Sequence, residues 1–419
     1  MTLAHLRGIL EQRGGFFYGW IIVFVSFVTL LLVSGLWSAF AIFINPIQSE
    51  FNMDRASVSL VMSVGLIVMG GSLPFLGKLI DEVGPRKIIL YSSVLMGVST
   101  VLLNYVSSFW QLLILYGIPL AIGFAGAGLV SHTSLVRSWF DERSDFALSV
   151  MQSGLPFGQL IVVPIAAHLI FEYGWRRAYL ILGLLLTLLA PVMVFFLAKE
   201  KEKKSSRIDS LGALEGGRGS DVEPEASLLG HVKTPSFLIL MVVYFICGFT
   251  DIPIATHMGP FITDKGYAGL FSAYVLSIIG GATWIGTLFL GVLSRRFKRR
   301  FLIAAIYFVR AAAFFILLGK ANTSSIIVFA ILFGLTQFSM VPLIAAWIGD
   351  TFGAVYMGRL FGLIALIHAL GASSGTFLDG WIHDVTDNYQ FAFIAASVLA
   401  FLASALYYFM KDREEIITG

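Results

Sequence analysis

Four ionisable side chains stand deep inside long apolar runs: Asp251, His257, Arg310 and His368, with His132, His168, Asp379 and His383 nearer the ends of such runs. A charge at the centre of a bilayer costs about 2.5–3.5 kcal/mol on insertion scales, so each is a functional candidate by default. His368 lies about fourteen residues into its run, near the midplane if the rise is about 1.5 Å per residue. With a reference pKa of about 6.5, an imidazole there can be neutral in an empty cavity and protonated when a carboxylate arrives. The alternative is a histidine hydrogen-bonded between packed helices. Asp251 sits in "CGFTDIPIATHMGP" (247–260), where Gly248, Pro253, Gly259 and Pro260 interrupt the helix and free backbone groups beside a cavity. It either carries a proton or neutralises Arg310 or His257. His257, further along, reads as a gate or structural residue. Arg310 is the one cation deep inside a run; facing lipid would be too costly, so it points inward, to a substrate or into a buried pair with Asp251 as partner.

The elements that position these groups follow from composition. Of 419 residues 58% are hydrophobic and 13% charged, against roughly 25% charged in soluble domains. Apolar segments long enough to span a bilayer recur twelve times, at 17–44, 56–80, 87–106, 109–136, 145–171, 176–198, 236–262, 268–294, 301–320, 324–349, 354–381 and 388–410. The expected class is an all-α membrane protein with twelve transmembrane helices in two six-helix bundles. The first run exceeds the roughly 7–15 residues of a signal core and reads as a permanent helix. Strands of a transmembrane barrel need only about 9–11 alternating residues and do not fit. The single cysteine, Cys247, lies inside a span and cannot form an intramolecular disulfide.

Lys and Arg resist translocation, so their distribution orients the chain. With the N-terminus cytoplasmic, roughly 22 of the 28 fall on the inner side. The outer loops keep mainly Arg55, Arg176, Arg177, Lys265 and Lys320. Both termini are then expected in the cytoplasm, and the compact loops suit a bacterial inner membrane. The cations of "GVLSRRFKRRF" (291–301) become an inner loop in contact with lipid headgroups, with no room for a nucleic-acid module. A charged, Gly/Ser-rich stretch without apolar period divides the spans six and six. The expected organisation is an N-terminal bundle over 1–198, a cytoplasmic linker over 199–235 and a C-terminal bundle over 236–419.

The halves echo each other. "GKLIDEVGPRK" (77–87) and "GVLSRRFKRRF" (291–301) align without a gap at Gly77/Gly291, Leu79/Leu293 and Arg86/Arg300. Gly77 allows close helix approach, Gly84-Pro85 makes a tight turn, and Asp81 can accept from a helix N-terminus or pair with Arg86. These are conformational parts. In the second copy the acidic position is Arg295, which leaves that half without the carboxylate.

The first copy resembles the loop signature of the major facilitator superfamily, G-x-L-x-D-x-x-G-x-R-[KR], at Gly77, Leu79, Asp81, Gly84, Arg86 and Lys87. Three more stretches are similar to its monocarboxylate transporter and oxalate:formate antiporter branch: "FFYGWIIVFVSFV" (16–28) with "FAIFINPIQSEFNMDRASVSLVMSV" (40–64), "WFDERSDFALSVMQSGLPFG" (139–158), and "GTFLDGWIHDVTDNYQFAF" (375–393). The resemblance implies secondary transport of a small organic anion, most simply a monocarboxylate moving with a proton by alternating access, with protons and membrane lipids as the other partners. Two departures stand out. The arginine such carriers often hold in the eighth span is missing from "GGATWIGTLFLG" (280–291), and His368 lies where the oxalate carriers have a lysine in the eleventh. An exporter of bulkier neutral or amphiphilic compounds and a non-transporting receptor on the same fold are the rival readings.

The other cavity candidates are neutral: Trp37 and Phe40 in the first span, Tyr116 and Ser131 in the fourth, Gln152 and Gln159 in the fifth, Tyr274 and Trp284 in the eighth, Gln337 and Phe338 in the tenth. Aromatics at helical spacing are more often packing, but a pocket rich in them would suit an acid with an apolar tail. Gly154, Pro156 and Gly158 permit bending and close contact in the fifth span. There is no G-x-x-x-x-G-K-[ST] run for ATP and no nucleophile turn of a hydrolase. No His/Cys set has metal-ligand spacing, so neither a cofactor nor a metal is expected, and enzyme classes are disfavoured.

Overall fold

A computed structural model describes residues 18–140, 144–198, 230, 232–294, 296–319, 321–340, 343–344, 347–348 and 354–409. Among these residues the regular structure is entirely helical. Ten helices are long and apolar enough to cross a membrane, in keeping with the need of a spanning backbone to satisfy its polar groups internally. One of them, Phe146–Leu197, is two expected spans joined at Gly174, whose φ of 80° is left-handed backbone that breaks the helical course. That gives eleven full-length segments. The tenth expected span appears as a shorter apolar helix, Thr323–Thr336, followed by a 3-10 turn, Phe338–Met340, and its continuation lies partly outside the described residues. The expected linker, 199–235, also lies mostly outside them.

The remaining helices run Gly19–Phe51, Arg55–Val83, Pro85–Tyr105, Phe109–Arg137, Pro235–Asp264, Arg299–Leu317, Leu360–Thr386 and Gln390–Phe409, with the eighth as Gly269–Leu293. Counting along the chain, Gly19, Arg137, Pro235 and Phe409 lie at one end of the bundle, called here the near end. Phe51, Arg55, Asp264, Thr386 and Gln390 lie at the far end.

The expected turn at Gly84 is present. Its φ of 95° ends the second helix, and Pro85 opens the third at N1, where a missing N–H costs nothing. Two expectations for this loop differ. A Cβ built at Gly77 would meet nothing within 4 Å, so no helix approaches it in this conformation. Arg86 does not pair with Asp81. It donates to the carbonyls of Val194 (3.4 Å), which also accepts from the Ala198 N–H, and Phe195 (2.6 Å), at the C-terminal end of the sixth helix.

The two halves of the chain touch chiefly along three helix pairs: second with eleventh, fifth with eighth, and first with seventh. The contacts are close at glycine: a Cβ at Gly280 would stand 2.9 Å from the Pro156 carbonyl, and one at Gly259 would stand 2.6 Å from the Ala41 carbonyl. On the near-end side of Gly70, where a Cβ would stand 2.7 Å from Ala369, a Cβ built at Gly71, Gly77 or Gly362 would meet nothing within 4 Å.

Candidate functional site

The seventh and eleventh helices meet almost backbone to backbone. A Cβ at Gly248 would fall 2.0 Å from the His368 carbonyl, and one at Gly371 would fall 2.1 Å from that of Phe245. Only hydrogen fits at such a crossing. The consequence is that His368 comes level with the turn carrying Cys247 and Asp251. Ligand-capable atoms of Cys247, Asp251 and His368 lie within 4.8 Å of one another, and the imidazole packs on the Tyr244 ring at a centroid distance of 5.5 Å. Asp251 is buried at 2% exposure, with its Oδ1 lacking a hydrogen-bond partner among the described residues, and the Gln337 amide lies beside its carboxylate. His368 is partly exposed, unlike Cys247 and Asp251.

Arg310 reaches this group from the ninth helix, fully buried. It forms no direct ion pair with Asp251, contrary to one expectation. Its Nη2 donates to the carbonyls of Thr336 (2.8 Å) and Gln337 (3.3 Å), its Nη1 lies 3.8 Å from Cys247 Sγ, and its guanidinium stacks over Phe333 and Tyr307. The reason is the break in the tenth helix. Gln337 leaves helical geometry at ψ −92°, so the preceding carbonyls lose their donors and the guanidinium supplies them. Its charge still acts on Asp251, Cys247 and His368. Gln337 is fixed in turn by Thr283 Oγ1, which donates to its Oε1 at 3.1 Å. The polar centre therefore joins the seventh, eighth, ninth, tenth and eleventh helices.

The aromatic candidates divide. Trp37, Phe40 and Tyr116 are buried against one another: Trp37 stacks on Phe124 at 4.4 Å, and Phe40 lies 4.6 Å from Tyr116. They pack the first helix on the fourth, where Tyr116 opens a π-helical turn, Tyr116–Leu120, that includes Pro119. In this conformation Phe40 and Tyr116 are at most 1% exposed. Trp284 meets Phe157 edge-on at 5.0 Å across the fifth/eighth contact and stays partly exposed. Ser131 donates to the Gly126 carbonyl, Gln159 is buried, and Tyr274 is half exposed.

A second polar cluster closes the far end, and the sequence reading missed it. Arg55, at the start of the second helix and 6% exposed, donates through both terminal nitrogens to Asp264 at 2.6 Å and through Nη1 to Tyr389 Oη at 2.8 Å. Asp384 accepts from the backbone N–H of Arg55 (3.0 Å) and Ala56 (2.7 Å), capping the second helix from the eleventh. His383 lies 3.2 Å from Asp264. Beneath them His257 contacts Tyr389 Oη at 3.0 Å, the Thr376 carbonyl at 2.8 Å and Ser59 Oγ at 3.4 Å. Asn45 Nδ2 donates to Thr263, and Ser63 Oγ to the Ser373 carbonyl. Asp379, one turn inside, is 6% exposed and makes no hydrogen bond among the described residues. From the sequence Arg55 reads as an outer-loop charge. The signal available was the pair of quoted stretches 40–64 and 375–393, which supply Arg55, Asp384 and Tyr389.

Comparison with known proteins adds four likenesses. The sequence model of the Major Facilitator Superfamily matches residues 22–324 and 282–418. The chain is 27% identical over 384 residues to YcxA, an uncharacterized MFS-type transporter of Bacillus subtilis (strain 168), covering 88% of this chain and 90% of that one. It is 24% identical over 415 residues to monocarboxylate transporter 2 of Rattus norvegicus, covering 95% and 83%. Among solved structures, a bacterial homolog of the human lysosomal transporter Spinster, inward-facing and occupied, superposes with a TM-score of 0.74 at 15% identity, over 94% of this chain and 97% of that one.

Proposed function

The chain belongs to the Major Facilitator Superfamily and is a multi-pass membrane transporter, not an enzyme; on that premise we propose that it carries a small organic anion, a monocarboxylate, together with a proton. Residues 1–198 would rock against 236–419, with both termini in the cytoplasm of a bacterial inner membrane, so that the far end is the outer face. The observation that carries this reading is the buried set Asp251, Arg310 and His368 on three helices of the second half, with His368 alone of the three partly exposed. The 24% identity to a monocarboxylate transporter over 95% of the chain supports the choice of cargo.

The coupling follows from charge balance. Without cargo, one guanidinium and one carboxylate cancel, and the buried centre is neutral. A substrate carboxylate entering beside His368 adds a negative charge that burial makes costly unless it is compensated. A proton taken up by His368 or Asp251 restores neutrality. Cargo and proton then cross together without the penalty of about 2.3 kcal/mol per charge per 100 mV. The polar cluster that closes the far end fits a carrier loaded from, or emptying to, the cytoplasm. Trp284 and Gln337 would border the cargo, while Trp37, Phe40 and Tyr116 would stiffen the opposing wall. Gly77, Asp81, Gly84 and Arg86 would act in the conformational change.

Uptake of labelled lactate or pyruvate into proteoliposomes under an imposed inward proton gradient tests the proposal. Stimulation by the gradient is expected, and its absence for every small carboxylate would end this reading in favour of an exporter of neutral compounds.

A further inference from the structure

Sequence spacing gives no metal-binding set, yet the fold assembles one from three helices. Cys247 Sγ lies 3.5 Å from Met340 Sδ, in the turn that follows the break in the tenth helix. Cys247 is also part of the group with Asp251 and His368 whose ligand atoms fall within 4.8 Å of one another. The geometry points to a binding site for a soft monovalent cation of the Cu+ and Ag+ class, held by Cys247, Met340 and His368 with Asp251 as the flanking charge.

Four observations carry this. Thiolate, thioether and imidazole form a soft donor set, whereas hard cations such as Mg2+ and Ca2+ require six or more oxygens, of which one carboxylate is present. Two sulfurs bound to one ion at about 2.3 Å each can stand at most about 4.6 Å apart, so the sulfur separation accepts an ion without moving either helix. Rotation of the partly exposed His368 side chain brings in the third donor and provides the entry path. The Asp251 carboxylate, buried with one oxygen unpartnered, is the kind of orphaned polar group that a bound cation would satisfy.

Charge selects the valence. The Arg310 Nη1 donates to Cys247 Sγ at 3.8 Å, and the arriving ion displaces the thiol proton, which leaves to solvent. Thiolate and carboxylate then bring two negative charges, and Arg310 with a monovalent ion brings two positive ones. A divalent ion would leave an excess charge in a buried site, at a large desolvation cost. Occupancy ties the seventh, tenth and eleventh helices together, so the bound ion stabilises the protein and stops transport. The site shares Asp251 and His368 with the proposed anion site, but its readout is metal binding and does not depend on what is carried.

The test uses the full-length protein purified in detergent, with Ag+ as a redox-stable probe. After gel filtration against excess free methionine, one Ag+ per chain is expected by elemental analysis. A raised melting temperature and sulfur and nitrogen neighbours in X-ray absorption should accompany it. Met340→Leu, which conserves volume, should weaken Ag+ at least tenfold and abolish the thermal shift while leaving carboxylate uptake intact. Cys247→Ser should do the same to metal binding, and Cd2+ should bind more weakly than Ag+. Failure to retain Ag+, unchanged binding in Met340→Leu, or tighter binding of Cd2+ would each overturn the assignment. If Cys247→Ser does not fold, Met340→Leu decides the matter alone.

Discussion

Replacing Arg55 by alanine removes the centre of the far-end seal while leaving the midplane group untouched. The side chain makes three charge-assisted hydrogen bonds, two to Asp264 at 2.6 Å and one to Tyr389 at 2.8 Å, and is itself 7% exposed. Buried bonds to charged groups contribute about 1.5–3 kcal/mol each. The Asp264 side chain is 34% exposed, so its share is discounted for solvent screening. A total of about 2–3 kcal/mol for the set is reasonable, and these bonds exist only while the far end is closed. Their loss should shift the balance toward the far-open state by about 30- to 150-fold, at 1.36 kcal/mol per tenfold. Ser59 is fully buried beneath the seal and provides the probe. In a Cys247→Ala background, Ser59→Cys in the purified protein should react slowly with a charged thiosulfonate, and adding Arg55→Ala should accelerate it by at least an order of magnitude. An unchanged rate would show that these bonds do not hold the far end shut.

Other outcomes follow from the same contacts. His368→Ala should abolish gradient-driven uptake with normal expression, and wild-type kinetics in that variant would refute its role. Asp251→Asn should keep substrate counterflow while losing stimulation by the proton gradient, measured in the same vesicles. Arg310→Met leaves the carbonyls of Thr336 and Gln337 without a donor; at about 1–3 kcal/mol per orphaned group, it should lower unfolding stability by several kcal/mol, seen as an early melting transition. Gly248→Val places carbon on the His368 carbonyl and should prevent folding of the second half, whereas Gly77→Ala, facing empty space, should leave thermal stability unchanged.

What the sequence made legible was whatever depends on local pattern. Hydropathy over about 20 residues locates the spans, and the Gly84-Pro85 turn follows from the dipeptide itself. The ionisable groups in the spans were visible because each is costly there. Their partners were not, because a partner depends on which helix faces which. The sequence leaves Arg310 facing a substrate or a buried partner such as Asp251, but a break at Gln337, in a run with no Pro or Gly at that position, created nearer acceptors. Arg55 looked like a loop charge until the eleventh helix brought Asp384 and Tyr389 over it. Cys247 and Met340 are 93 residues apart, and no spacing rule connects them.

The central claim is that cargo and proton share one buried, charge-balanced site. Proteoliposomes loaded with a pH-sensitive dye and given external lactate or pyruvate at equal starting pH measure it directly. The interior should acidify in step with carboxylate entry in the wild type and not in Asp251→Asn. Entry of the carboxylate with no proton flux, or undiminished acidification in the variant, would contradict the account.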